Sequence, residues 1–115
     1  MNNKYEILKT MEEYIVNLKQ GLQEVSNLFQ SGENYQGAQS IFNVIDGIQW
    51  LTDALTLTLD ILKEKIDISE LNGKLSEIVE AFENEDYVLV GDLFQYEVLP
   101  ILEEWEQNIK VSNAV

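Results

Sequence analysis

The sequence predicts an all-α protein, an antiparallel up-down four-helix bundle with short connections. Three observations carry that expectation. Apolar residues recur in steps of three and four along most of the chain, a spacing that places them on one face of a helix turning about 100° per residue. The longest dense apolar run, Asp86–Trp105, holds the only proline and is itself spaced like a helix. At 115 residues with 45% hydrophobic residues, the chain suffices for one domain with a packed core and is too apolar for general disorder.

The first helix is expected over residues 4–30. Leu8, Met11, Ile15, Leu18, Leu22, Val25 and Phe29 form an unbroken seam of threes and fours. Ile7, Tyr14 and Leu28 widen it, while Glu6, Lys9, Glu13, Lys19 and Glu24 make the solvated side. Ser31-Gly32 ends the helix, with Gly32 suited to the left-handed position after it.

The second helix is expected over about 34–65, with Ile41, Val44, Ile45, Ile48, Leu51, Leu55, Leu59 and Leu62 as its core stripe. A break near Asn34–Gly37, with a later start, is the alternative. Off that face lies a surplus stripe, Trp50, Ala54, Leu57 and Ile61. Thr52, Thr56 and Thr58 are mediocre helix formers, but the periodicity outweighs them. A third helix is expected over 69–84, capped by Asp67 or Ser69. Its seam is Ile68, Leu71, Leu75, Ile78 and Phe82, and Glu77, Glu80, Glu83 and Glu85 line its outer side.

The fourth helix is expected over 86–109, started by Asp86 or Asn84, with Val111–Val115 frayed. Tyr87, Val90, Phe94, Val98, Ile101 and Trp105 share its core face. Leu89, Leu93, Tyr96 and Pro100 form a second stripe roughly opposite. Two stripes on one helix imply a central position or a partner. Glu97 projects at the edge of the core face. Burying a carboxylate is costly unless it is paired or protonated, so Glu97 either leans out to a Lys or Tyr partner or is a buried polar site. Pro100 has no N–H to give the carbonyl of Tyr96, so a kink is expected there.

The chain also echoes itself. Leu22, Glu24, Val25 and Phe29 match Leu75, Glu77, Ile78 and Phe82; after a one-residue gap Tyr35, Ile41 and Phe42 match Tyr87, Leu93 and Phe94. Either two similar helical hairpins are related by a pseudo-twofold, or shared helical periodicity produces the match.

Composition excludes much chemistry. There is no cysteine, hence no disulfide, thiol nucleophile or thiolate site, and no histidine, the commonest general base and metal ligand. Every basic side chain is lysine, so the bidentate guanidinium clamp for phosphates is missing. The net charge of −14 repels nucleic acid and anionic membranes. Met1–Lys4 leads straight into a charged amphipathic segment without the pattern of a signal peptide, and no run is long and apolar enough to span a bilayer. A cytoplasmic location is the expectation.

No phosphate loop, dinucleotide turn, nucleophile elbow or calcium loop is present. A di-iron bundle needs histidine. Glu77, Glu80 and Glu83 with Glu103 and Glu104 supply carboxylates for a Mg²⁺-dependent nucleotide hydrolase, but the first set lies on an outer face. No metal or cofactor is expected. The aromatic residues read as core, except Trp50, which sits off the main stripe beside Leu57 and Ile61 as an interface anchor does.

The stretch E-N-E-D-Y-V-L-V-G-D-L-F-Q-Y-E-V-L-P-I-L-E-E-W, residues 83–105, resembles a segment of small acidic helical proteins of unknown function from low-GC Gram-positive bacteria. It covers about a fifth of the chain and contains no chemically specific motif. The abundance of Ile and Asn, and of Lys over Arg, agrees with an AT-rich genome. The resemblance implies a helical bundle and a bacterial source, and it carries over no activity and no functional residue.

The expected function is a non-enzymatic protein-interaction module. Trp50, Ala54, Leu57, Ile61, Leu89, Leu93 and Tyr96 would either form a homodimer or dock an amphipathic, basic helix of a client. The alternatives are an acidic DNA mimic that opposes a DNA-binding protein, and the Mg²⁺-dependent hydrolase.

Overall fold

Helix α1 (Lys4–Gln30) runs the length of the molecule: its 27 residues span about 40 Å, against a longest dimension of 44 Å. The computed structural model describes residues 3–114. Met1 and Asn2 of the expected lead-in and Val115 of the expected frayed end lie outside the described residues. All regular structure among the described residues is helical: α1, α2 (Asn34–Thr58), a 3₁₀ turn (Leu59–Ile61), α3 (Ile68–Glu83), α4 (Tyr87–Leu93), a π turn (Phe94–Val98) and α5 (Leu99–Asn113). The last three form one bent rod, so four helical pieces build the fold.

α1 is the hub. The Asn3 side chain starts it by accepting the Tyr5 N–H at 2.9 Å. The whole expected seam, Leu8 through Phe29, is buried. Against α1 pack α2 on one side and α4, the π turn and α5 on the other, while α3 rests on α4 and the π turn. α2 and α3, by contrast, barely approach each other along their backbones.

α2 starts at Asn34 with no break, but it ends seven residues before the expected Lys65. Leu59 is 43% exposed, and its place in the core is taken by Thr58, which is fully buried. The buried Thr58 hydroxyl finds its partners within the helix, donating back to the carbonyls of Ala54 and Leu55 at 3.1 and 3.2 Å. Beyond it, backbone groups that a helix would pair are paired by α5 instead. Lys63 N–H donates to Ser112 Oγ at 2.9 Å, and Asn108 accepts from Glu64 N–H at 3.3 Å and donates to the Glu64 carbonyl at 2.8 Å. Asn108 and Ser112 are buried.

α3 begins one residue earlier than expected, with Asp67 as its cap accepting the Ser69 N–H at 3.0 Å. Asp86 stands before α4, but its side chain makes no capping bond. Asn84 serves the end of α3 instead. The fourth helix is not continuous. The Leu99 N–H bonds to the carbonyl of Phe94, one residue further back than in an α-helix, and Pro100 follows directly. The kink expected at Pro100 thus takes the form of a π turn. Leu102, Asn108, Ile109 and Ser112 join the expected core residues Phe94, Val98, Ile101 and Trp105 in burial. The expected fray at Val111–Asn113 is also corrected: α5 runs to Asn113, whose amide donates to the Leu8 carbonyl at 3.1 Å and Glu12 at 2.8 Å.

The turns that end α1 and α3 share one hydrogen-bond pattern. Glu33 N–H reaches back to the Leu28 carbonyl at 2.8 Å and Gly32 N–H to Phe29 at 3.3 Å; Asp86 N–H reaches Ala81 at 2.9 Å and Glu85 N–H reaches Phe82 at 3.0 Å. Both are Schellman turns, with Gly32 at φ 84 and Glu85 at φ 58 in the left-handed position. In the structure, therefore, the expected one-residue gap does not fall in the turns. Asn34, and not Tyr35, corresponds to Tyr87.

Candidate functional site

Where α2 and α3 stay apart, a groove of about 650 Å³ opens between them, lined by Ile45 and Gln49 of α2 and by Leu75, Ser76, Val79 and Glu80 among the residues of α3. Its floor is the apolar edge of the core, since Leu75 is buried and Ile45 half-buried. Val79 is 38% exposed on the α3 wall, and Phe42 of α2 is 56% exposed. Phe42 also touches α3, its ring standing edge-on to Phe82 at 5.8 Å. Phe82 in turn packs on Phe29 and Tyr87, and these two stack at 5.7 Å. Gly37 makes room for this cluster, because a Cβ there would lie 2.8 Å from the Phe29 ring.

The α3 wall is acidic, with Glu80 and Glu83 in its lining, whereas α2 contributes Ile45 and Gln49. Between them α2 and α3 carry one lysine, Lys74, against the carboxylates Asp46, Asp53, Glu70, Glu77, Glu80 and Glu83. Lys74 is engaged elsewhere, 3.5 Å from Glu77 and 3.6 Å from Glu97. Glu77 first and Glu97 second hold its ammonium above the ordinary lysine value. Glu97 is therefore exposed and ion-paired rather than a buried polar group. The wider π turn carries it off the edge of the core, correcting that half of the expectation.

The other expected interface residues divide. Ala54 is buried and belongs to the core, and Ile61 is half-buried in the 3₁₀ turn, so the α2 stripe does not form one exposed surface. Trp50 and Leu57 are exposed, at 42% and 59%, with the Trp50 ring tilted against Tyr14 at 4.7 Å. Leu89 and Leu93 line a second, smaller hollow of about 260 Å³ against α3, with Glu77, Glu80 and Asp86 at its edge. No residue of the α2 stripe lines it. Tyr96 stands 65% exposed. Glu80 thus forms part of an acidic ridge between two apolar hollows.

Sequence reading by stripes missed the larger groove. Two local signals pointed at it: Val79 interrupts the acidic side of α3, and Phe42 places an aromatic ring one step off the core stripe of α2. As for the carboxylate sets weighed for magnesium, among the described residues no group of three or more acidic side chains is placed to hold a metal ion. No helix among the described residues is long and apolar enough to cross a membrane.

The fold and the groove define a small all-helical domain with an apolar groove, acidic along its α3 wall. The chain belongs to the family described as a domain of unknown function, DUF8042, whose profile matches residues 6–108 and so takes in both walls. No curated protein and no solved structure matches the chain.

Proposed function

We propose that this chain is a non-enzymatic protein-interaction module, an antiparallel four-helix bundle of two related hairpins that works in the cytoplasm and binds a helical segment of a partner. The observation that carries this reading is the α2–α3 groove: apolar along its floor, with the apolar side chain of Val79 exposed on its α3 wall. Exposed apolar grooves rimmed by polar residues are where amphipathic helices dock, through anchors spaced three and four apart. Trp50, Leu57, Leu89 and Tyr96 extend the exposed apolar surface on other faces.

Site-specific photo-crosslinking in the cells that make the protein tests the reading. A photo-reactive residue at Val79 should yield one discrete adduct. The same residue at Glu13, on the exposed side of α1, should yield none. An adduct of twice the 13.2 kDa chain mass would make the partner a second copy. Absence of any adduct at Val79, or the same adducts from both positions, would remove the basis for a docking function.

A further inference from the structure

The α2–α3 groove has a closed counterpart in the same molecule. The turns after α1 and α3 carry the same hydrogen bonds. Counting back from Phe29 and Phe82, Ser26 corresponds to Val79 and Leu22 to Leu75; counting on, Gln30 corresponds to Glu83, and through the turns Gly91 corresponds to Ala38. The α1 face that holds Ser26 and Gln30 is covered by α4. Ser26 Oγ donates to the Gly91 carbonyl at 2.8 Å, Gln30 Nε2 donates to Asp92 at 3.1 Å, and a Cβ on Gly91 would meet the Ser26 carbonyl at 3.0 Å. The corresponding face of α3 is the wall of the open groove. α3 therefore presents a helix-packing face that α2, the counterpart of α4, leaves open along the groove.

The substitutions between the two faces describe what would complete it. Where α1 has the hydroxyl of Ser26, α3 has the apolar Val79, which can only pack. Where α1 has Gln30, a donor to a carboxylate, α3 has Glu83, which can only accept and attracts a cation. Glu80 adds a second carboxylate to the same wall, and Lys74 is drawn to Glu77 and Glu97. A second copy of the chain is a poor occupant: it brings a net charge of −14 and only seven lysines to a wall that needs cations.

Resting on the interaction-module reading, we propose that the groove takes an amphipathic helix of another protein, with one aliphatic row laid along Ile45, Leu75 and Val79 and lysines or arginines beside that row against Glu80 and Glu83. Charge complementarity sets the partner's polar edge, and the helix-packing face of α3 sets its apolar row.

The test uses the full chain and a labelled 16-residue peptide, the length of α3, with leucines at helical spacing and lysines flanking them. A control peptide has the same residues permuted so that no stripe forms. Fluorescence anisotropy should show saturable binding of the striped peptide, at least about ten-fold tighter than the control. Val79→Asp and Glu83→Lys should each weaken it by about ten-fold or more with the circular dichroism spectrum unchanged. If Val79→Asp loses its fold, Val79→Ser, which removes the apolar contact without placing a charge there, supplies the apolar arm. Equal binding of the permuted peptide overturns the proposal in favour of an unspecific polyanionic surface, as a DNA mimic would show. Unchanged binding by the variants, or no binding of the striped peptide, overturns it as well. So does a dimer that Val79→Asp converts to monomer, which makes a second copy the occupant. A crosslinked adduct at Val79 together with peptide failure would leave the docking function standing and remove only the cationic helix.

Discussion

α1 and α3 end in the same turn, but only α1 is covered along the face that follows from it. On α1 the approach of α4 is so close that Gly91 has no room for a Cβ, and a buried hydroxyl bridges the two backbones. On α3 the position matching Ser26 holds Val79, which lines a groove between α2 and α3. The difference teaches where the fold spends its packing. α1 is enclosed by two helices. α3 is held from one side, by α4 and the π turn, and the hydrophobic effect leaves its other side available to whatever apolar surface arrives.

The contrast breaks most readily at the closed interface. Gly91→Ala would place a Cβ 2.9 Å from Gln30 Cγ and 3.0 Å from the Ser26 carbonyl, and the second of these is backbone that cannot swing aside. Overpacking of this kind costs about 1–3 kcal/mol. Gly37→Ala, facing the buried Phe29 ring at 2.8 Å, should cost a similar amount. Urea melts followed by circular dichroism measure both. If Gly91→Ala melts within about 0.5 kcal/mol of the parent, the surface-substitution range, the approach of α4 is not a tight packing constraint and the open-versus-closed contrast loses its physical content.

A smaller effect separates the faces residue by residue. Ser26→Ala removes a buried hydrogen bond, but the Gly91 carbonyl keeps the Phe94 N–H as a partner, so the loss should be about 1 kcal/mol. Val79→Ala at the matching place on α3 trims a side chain that lines an open groove, and its effect on stability should stay within about 0.5 kcal/mol. Equal losses at the two sites, read from the same melts, would mean that the groove is packed in solution.

What could be read in the sequence was whatever a single helix decides. The seam of α1 from Leu8 to Phe29, the seam of α3 and the left-handed Gly32 all follow from local spacing and turn chemistry, and the structure has them. The end of α2 does not follow from local spacing, because Asn108 and Ser112, more than forty residues away, hold the backbone of Lys63 and Glu64. The π turn was legible as a kink at Pro100, but not as an added residue. The groove was the least legible feature. Periodicity says which residues of a helix are apolar, not which helix lies opposite them. Stripe counting therefore put Ala54 on an interface although it is core, and overlooked Val79 and Phe42.

A last pair of substitutions sharpens the comparison at the turns themselves. Both turns need a residue in the left-handed region, and only the first has glycine there: Gly32 at φ 84 against Glu85 at φ 58. A side chain with a Cβ costs about 1–2 kcal/mol in that conformation. Replacing it with glycine also loosens the unfolded chain, which gives back about 0.4–1 kcal/mol. Glu85→Gly should therefore stabilise the protein by a net of roughly 0.5–1 kcal/mol, and Gly32→Ala should destabilise it by about the same amount. Denaturant midpoints with unchanged slopes would report both. Opposite signs would show that the two turns are one device carrying different residues, which is the premise for matching Val79 to Ser26. If Glu85→Gly instead lowered the midpoint, the Glu85 side chain would be contributing contacts that outweigh its backbone strain. The second turn would then be held by its side chains, the first by its backbone, and the correspondence between the faces would have to rest on the hydrogen bonds alone.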